Sequence, residues 1–194
     1  CGQLGKQDNC RVAVTLSVAN DHASLPVACR LYLPEVWADD PVRRSRAGVP
    51  ADVAFQTKPA IALDQIRAAV ATDLPCGLVL ADAGYGNDTR FRDEVSALGL
   101  LYAVGILSST TVWPPGLEPQ PARGKGRPAT RRRRDADQRP VSAKDLALSL
   151  PKTAFRPVAW REGSKVVLSS RFAALRVRPA HRDPRRQTPR PPEW

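Results

Sequence analysis

Methionine is absent from the 194 residues, histidine occurs twice, and aromatic side chains make up only 6% of the chain. Scarce aromatics leave any core to aliphatic side chains. The two histidines, His22 and His181, stand apart from each other and from the cysteines, which argues against a zinc centre and against a Ser-His-Asp triad. Both read as turn or surface residues. The four cysteines, Cys1, Cys10, Cys29 and Cys76, lack the close pairs of a metal site and the density of a disulfide scaffold, so they are expected to be reduced and mostly buried. No apolar run is long enough to span a bilayer, and neither a signal peptide nor a lipid motif is recognisable. The expectation is a cytoplasmic protein with no membrane partner. With no methionine even at position 1, the run from Cys1 to Cys10 reads as interior sequence of something larger.

What is present is charge, unevenly placed. Residues 1–107 hold 10 Lys and Arg against 12 Asp and Glu, whereas residues 108–194 hold 20 against 7. The second half therefore carries +13 and the first −2, and the net +11 belongs to one half. Concentrated positive charge favours a polyanionic partner, here nucleic acid. With 42% hydrophobic residues, the length suits one sizeable core with appendages rather than two full domains.

Alternation puts Val12, Val14, Leu16 and Val18 on one face of a half-buried strand, and residues 26–33 repeat it through Val27, Cys29, Leu31 and Leu33. The turn-forming Asn20-Asp21-His22 joins the two as an antiparallel hairpin. Residues 34–58 read as an ordered connection. From Pro59 to about Asp73 the spacing of Ala62, Leu63, Ile66, Ala69 and Val70 predicts an amphipathic helix, with proline suited to its first turn. Gly77 to Asp82 predicts a central strand covered on both faces. Asn87 or Asp88 caps a second helix with Phe91, Val95 and Leu98 on one stripe, and Gly99 ends it before another buried strand, Leu100 to Ile106. This order predicts an α/β fold with one mixed sheet.

Beyond residue 107 lie 13 of the 19 prolines, and residues 114–140 are rich in Pro, Gly and Arg, a composition expected to be disordered. Residues 142–150 suit a short helix, and 153–160 and 165–177 suit strands of a small β-rich element.

Asp82 ends its strand at the turn Ala83-Gly84-Tyr85-Gly86, the position at which open α/β sheets hold their sites. A carboxylate there can ligate magnesium, but two-metal phosphoryl transfer needs several acids from separate elements. The bland alternative is that Asp82 caps the turn or pairs with an arginine. Gly84-Tyr85-Gly86 lacks the third glycine of a dinucleotide fingerprint, and no phosphate-binding loop with lysine and a hydroxyl residue occurs, which excludes both nucleotide readings. The densest basic run comprises Arg123, Lys125, Arg127, Arg131, Arg132, Arg133 and Arg134. Such a segment can lay arginine in a narrow minor groove, or touch phosphates without reading sequence. Trp37 with Arg43, Arg44 and Arg46 could clamp DNA, or Trp37 could cover a sheet edge.

Several stretches, CGQLGKQDNCRVAVTLSVAN, ASLPVACRLYLPEVWA, AGVPADVAFQTKPAIALDQIR, GLVLADAGYGNDTRFR, LGLLYAVGI and AWREGS, resemble the DDE transposases of bacterial insertion sequences. These are DDE superfamily endonucleases with an RNase H-like fold. LADAGYG after an apolar strand is the most specific of the shared motifs. The resemblance implies that Asp82 is the second acid of a triad binding Mg2+ or Mn2+, and that DNA, as transposon ends and target, is the partner of a homo-oligomeric enzyme. It also implies a first aspartate on a strand before Cys1 and a glutamate on a helix after Trp194. Asp8, Asp21 and Glu193 are poor substitutes, since the first precedes its strand, the second sits in a turn and the third in a proline-rich tail.

The organisation expected on this basis is a partial RNase H-like core over 1–107, a Pro/Arg-rich linker over 108–140 and a small α+β insertion element over 141–194. Alone, such a chain is expected to bind metal weakly, to be catalytically inactive and to be marginally stable. The competing reading is a non-enzymatic basic nucleic-acid-binding protein.

Overall fold

The structure, a computed structural model, describes residues 11–72, 74, 75, 77–120, 136–162, 166–180 and 191–194. They divide into two compact units between Ile106 and Leu107.

The first unit opens with β1 (Ala13–Ala19) and β2 (Ser24–Leu31), an antiparallel hairpin pairing Val14 with Arg30 and irregular between Leu16 and Ser17. Asn20 closes its turn, its Oδ1 accepting from the backbone N–H of His22 and Ala23, each at 2.9 Å. The expected alternation is only partly buried. Val14 is buried and Leu16 half-buried, but Leu25 and Leu31 are 65% and 64% exposed, and Cys29 is an exposed free thiol rather than a buried one. The reason is that β2 is the outer strand, while the following helix packs on β1.

Residues 34–58 are ordered, as expected, but contain two short helices, α1 (Glu35–Ala38) and α2 (Pro41–Arg46). Asp40 caps α2 by accepting from Val42 and Arg43 N–H, with proline in the first turn where its missing donor costs nothing. α3 (Lys58–Ala71) follows, capped by the Thr57 hydroxyl. Leu63 and Ile66 are buried as its stripe predicts, and buried Gln65 donates to the Val14 carbonyl at 3.0 Å, fastening helix to strand.

β3 (Val79–Ala81) and β4 (Tyr102–Val104) pair in parallel, with Val79 opposite Tyr102. Between them run α4 (Ala83–Gly86) and α5 (Thr89–Ala97). Asp88 caps α5 at the Phe91 N–H, and Gly99, at a φ of 74° that glycine adopts freely, ends it. Leu63, Ile66, Phe91 and Val95 make the core, against which one face of the β3–β4 pair packs. Each such side chain contributes about 1.5–3 kcal/mol by burial.

Two expectations need correction. The hairpin and the parallel pair are separate two-stranded sheets, not one mixed sheet. β3 and β4 are covered on one face only: Val79, Ala81, Tyr102 and Val104 turn to the core, while Leu80 and Leu101 are 72% and 76% exposed. Among the described residues no strand bridges β1 to β3 and no helix lies over that second face, so the apolar runs lack the partners their composition suits.

In the second unit, β5 (Thr111–Trp113), β6 (Val141–Ser142), α6 (Ala143–Ser149), a one-turn helix at Lys152–Ala154, β7 (Arg156–Glu162), β8 (Val167–Phe172) and β9 (Arg178–Pro179) follow in order. β5 is the centre of a three-stranded sheet, β6-β5-β9, and β7 pairs antiparallel with β8. Ser142 caps α6 reciprocally, its hydroxyl accepting from Asp145 N–H and donating to the Asp145 carboxylate. Within residues 108–140, β5 carries Val112 and Trp113, buried at 4% and 0% exposure. Residues 121–135 lie outside the described residues.

Candidate active site at the end of beta3

β3 delivers the chain to Asp82, whose backbone is extended and whose side chain caps α4. Its Oδ1 accepts from Gly84 N–H at 2.8 Å, and its carbonyl accepts from Tyr85 and Gly86 N–H at 3.1 and 2.9 Å. The carboxylate is exposed, at the carboxyl end of a parallel strand pair. One oxygen is committed to the cap, so the group meets solvent chiefly through the other.

Two glycines allow this turn to press onto β4. A Cβ at Gly86 would lie 1.9 Å from the Gly105 carbonyl and 2.9 Å from the Val104 side chain. A Cβ at Gly105 would lie 2.9 Å from Ala83 N and 3.3 Å from the Asp82 carbonyl carbon, while Gly105 N–H donates to the Ala81 carbonyl at 2.8 Å. Buried Arg92 reaches from α5 and donates to the Gly86 carbonyl, so a cation sits at the C-terminal end of α4, where the helix dipole favours it. Asn87 donates to the Ala83 carbonyl at 2.6 Å. Tyr85 stacks at a tilt on Phe91, ring centroids 5.8 Å apart, and burial, reinforced by the negative charge of Asp82, raises its pKa above the ordinary 10.0.

Asp82 was legible in the sequence; Gly86, Gly105 and Arg92 as its supports were not singled out. The signal for Gly105 was its place directly after an apolar strand, where glycine permits close backbone approach. Arg92 left none, since one more arginine on a helix reads as a solvated charge.

The other expected residues divide. Arg43 stacks on Trp37 at 5.8 Å from the ring centroid and pairs with Asp40 at 3.2 Å. The Arg44 guanidinium donates to four carbonyls, those of Ala38, Pro50, Ala51 and Val53, at 2.8–3.2 Å, which makes it a loop clamp, whereas Arg43 and Arg46 are exposed. Arg123, Lys125, Arg127, Arg131, Arg132, Arg133 and Arg134 lie outside the described residues, as does Asp8. Asp21 stands in the hairpin turn, and Glu193 exchanges backbone hydrogen bonds with Val177. Among the described residues no group of three or more His, Cys, Asp or Glu side chains could hold a metal ion. A cavity of about 470 Å3 at the start of α3 is lined by Asp64, Arg67 and Arg90 among others, but not by Asp82. Asp64 and Arg67 are paired to each other across 3.2 Å.

The first unit thus holds an exposed carboxylate at the carboxyl end of its parallel strands, and residues 108–194 are strongly basic. The chain belongs to the DDE superfamily endonuclease family, whose sequence model matches residues 1–166. No curated protein and no solved structure is significantly similar to it. No helix among the described residues is long and apolar enough to cross a membrane.

Proposed function

We propose that this chain is the part of an insertion-sequence transposase that supplies one acid, Asp82, to a centre cutting and joining DNA by divalent-metal-dependent phosphoryl transfer. The observation that carries the reading is the placement of Asp82: an exposed carboxylate held at a strand end by a turn that two glycines and a buried arginine fasten down. A complete centre would take magnesium or manganese as a Lewis acid, with Asp82 as one of its ligands. The described residues do not by themselves fit such a centre, because one Asp82 oxygen is committed to the cap and no group of three or more His, Cys, Asp or Glu side chains could hold a metal ion. On this reading catalysis needs acids beyond those of the described residues. Among the described residues β1 and β3 each pair on one side only, which supports a partial RNase H-like sheet in which a further strand between them would bring a second acid beside Asp82.

The test is magnesium-dependent cleavage of transposon-end DNA. The 194-residue chain should be inactive, and a longer chain carrying the other two acids of the family triad should be active and lose activity by at least about a thousand-fold on Asp82→Asn. Cleavage by the longer chain that survives Asp82→Asn would overturn the role of Asp82. A second reading, a non-enzymatic DNA-binding protein, draws on the +13 of residues 108–194. It gains if the longer chain binds DNA without cleaving it.

A further inference from the structure

In the second unit, β7 and β8 pair only with each other among the described residues, forming a two-stranded ribbon. Cross-strand partners share a face, so Arg156 opposite Phe172 and Val158 opposite Ser170 lie on one side. Trp160, at the irregularity between Ala159 and Arg161, joins that side by donating from Nε1 to Ser170 Oγ at 3.3 Å. The opposite side carries Arg171, whose guanidinium donates to the Phe155 carbonyl at 2.7 Å and the Lys152 carbonyl at 3.4 Å. A lone ribbon is marginal in water, and these bonds brace it against the preceding turn from that side. The first side stays open: Trp160, Phe172 and Val158 are 55%, 51% and 44% exposed, and Arg156 is exposed.

Two aromatic rings and a cation on an open β surface match a chain of bases and phosphates. Every unpaired base has an apolar π face that an indole or phenyl ring can stack on, and arginine neutralises the adjoining phosphate. A duplex hides those faces in its own stack and offers groove edges, which are read by amides and forked donors rather than by rings. A second copy of the ribbon would set Arg156 and the surrounding positive charge against themselves. We propose that this face docks single-stranded DNA, with bases stacked on Trp160 and Phe172 and a phosphate against Arg156. The choice of DNA over RNA rests on the function proposed above; the stacking does not.

The experiment uses the 194-residue chain in a metal-chelating buffer, titrated with oligo-dT of about fifteen nucleotides, a blunt duplex of equal length, and oligo-U. Oligo-dT should quench tryptophan emission, and Trp160→Ala should remove the quenching and weaken binding about ten-fold or more, while Trp160→Phe keeps most of the affinity. Phe172→Ala and Arg156→Ala should each weaken binding to oligo-dT more than to the duplex. An unchanged oligo-dT affinity in Trp160→Ala, equal losses for oligo-dT and duplex, or a dimer dispersed by Trp160→Ala would overturn the proposal. Tight binding to oligo-U with none to either DNA would instead overturn the DNA reading and leave the stacking face standing.

Discussion

Asp82 has two duties that different substitutions separate. As the cap of α4 its carboxylate accepts from Gly84 N–H, a task asparagine performs nearly as well. Asp82→Asn should therefore leave the urea midpoint almost unchanged, whereas Asp82→Ala should cost about 1 kcal/mol. Equal destabilisation by both would show that the negative charge, and not the cap, holds the turn. Its neighbour Tyr85 reports the same environment through pH. Its folded-state pKa lies above 10.0, so its contribution is fully present below pH 10 and is lost as the pH rises through the raised folded value. Alkaline stability curves should fall from about pH 10 upward, and Tyr85→Phe should flatten that fall. In Asp82→Asn the tyrosinate absorbance of Tyr85 should appear at lower pH, because the smaller of the two causes of the shift is gone.

At the level of elements, the packing of α4 on β4 depends on two missing side chains. Gly86→Ala would drive a methyl group into the Gly105 carbonyl, a backbone atom that cannot swing aside, and should destabilise the first unit by about 1–3 kcal/mol in denaturant unfolding. An unaltered midpoint would mean that α4 can lift off β4 freely. A similar cost is expected for Arg44→Ala, which releases four carbonyls at once, and Arg44→Lys should rescue little because an ammonium lacks the planar fork. Proteolysis near residues 47–53 is the local readout. Much of this architecture was legible because it rests on local chemistry: Asn20 in its turn, Thr57 and Asp88 as caps, Gly99 as a stop, and the stripes of α3 and α5. The rest was not, because the deciding partners are distant in sequence. Periodicity says that Leu80 and Leu101 suit an interior, but not whether anything covers them. Nor does it distinguish Arg44, wholly engaged by carbonyls, from Arg46, exposed two residues later.

For the whole molecule, the division of charge sets how DNA binding must respond to salt. If the basic run of residues 131–134 meets phosphates of a duplex, each arginine displaces close to one condensed counterion, and the affinity falls as a power of salt concentration. Replacing Arg131, Arg132, Arg133 and Arg134 by serine should lower the magnitude of that slope by roughly 3 to 4, with nearly the same loss for A·T-rich and G·C-rich duplexes. A loss concentrated on A·T-rich duplexes would point instead to arginine inserted in a narrow minor groove, where the potential is most negative. If the slope stayed put, duplex affinity would have to reside elsewhere. The first half of the chain, at −2, is a poor candidate to supply it, so the remaining cations of residues 108–194 would become the object of the same substitution test.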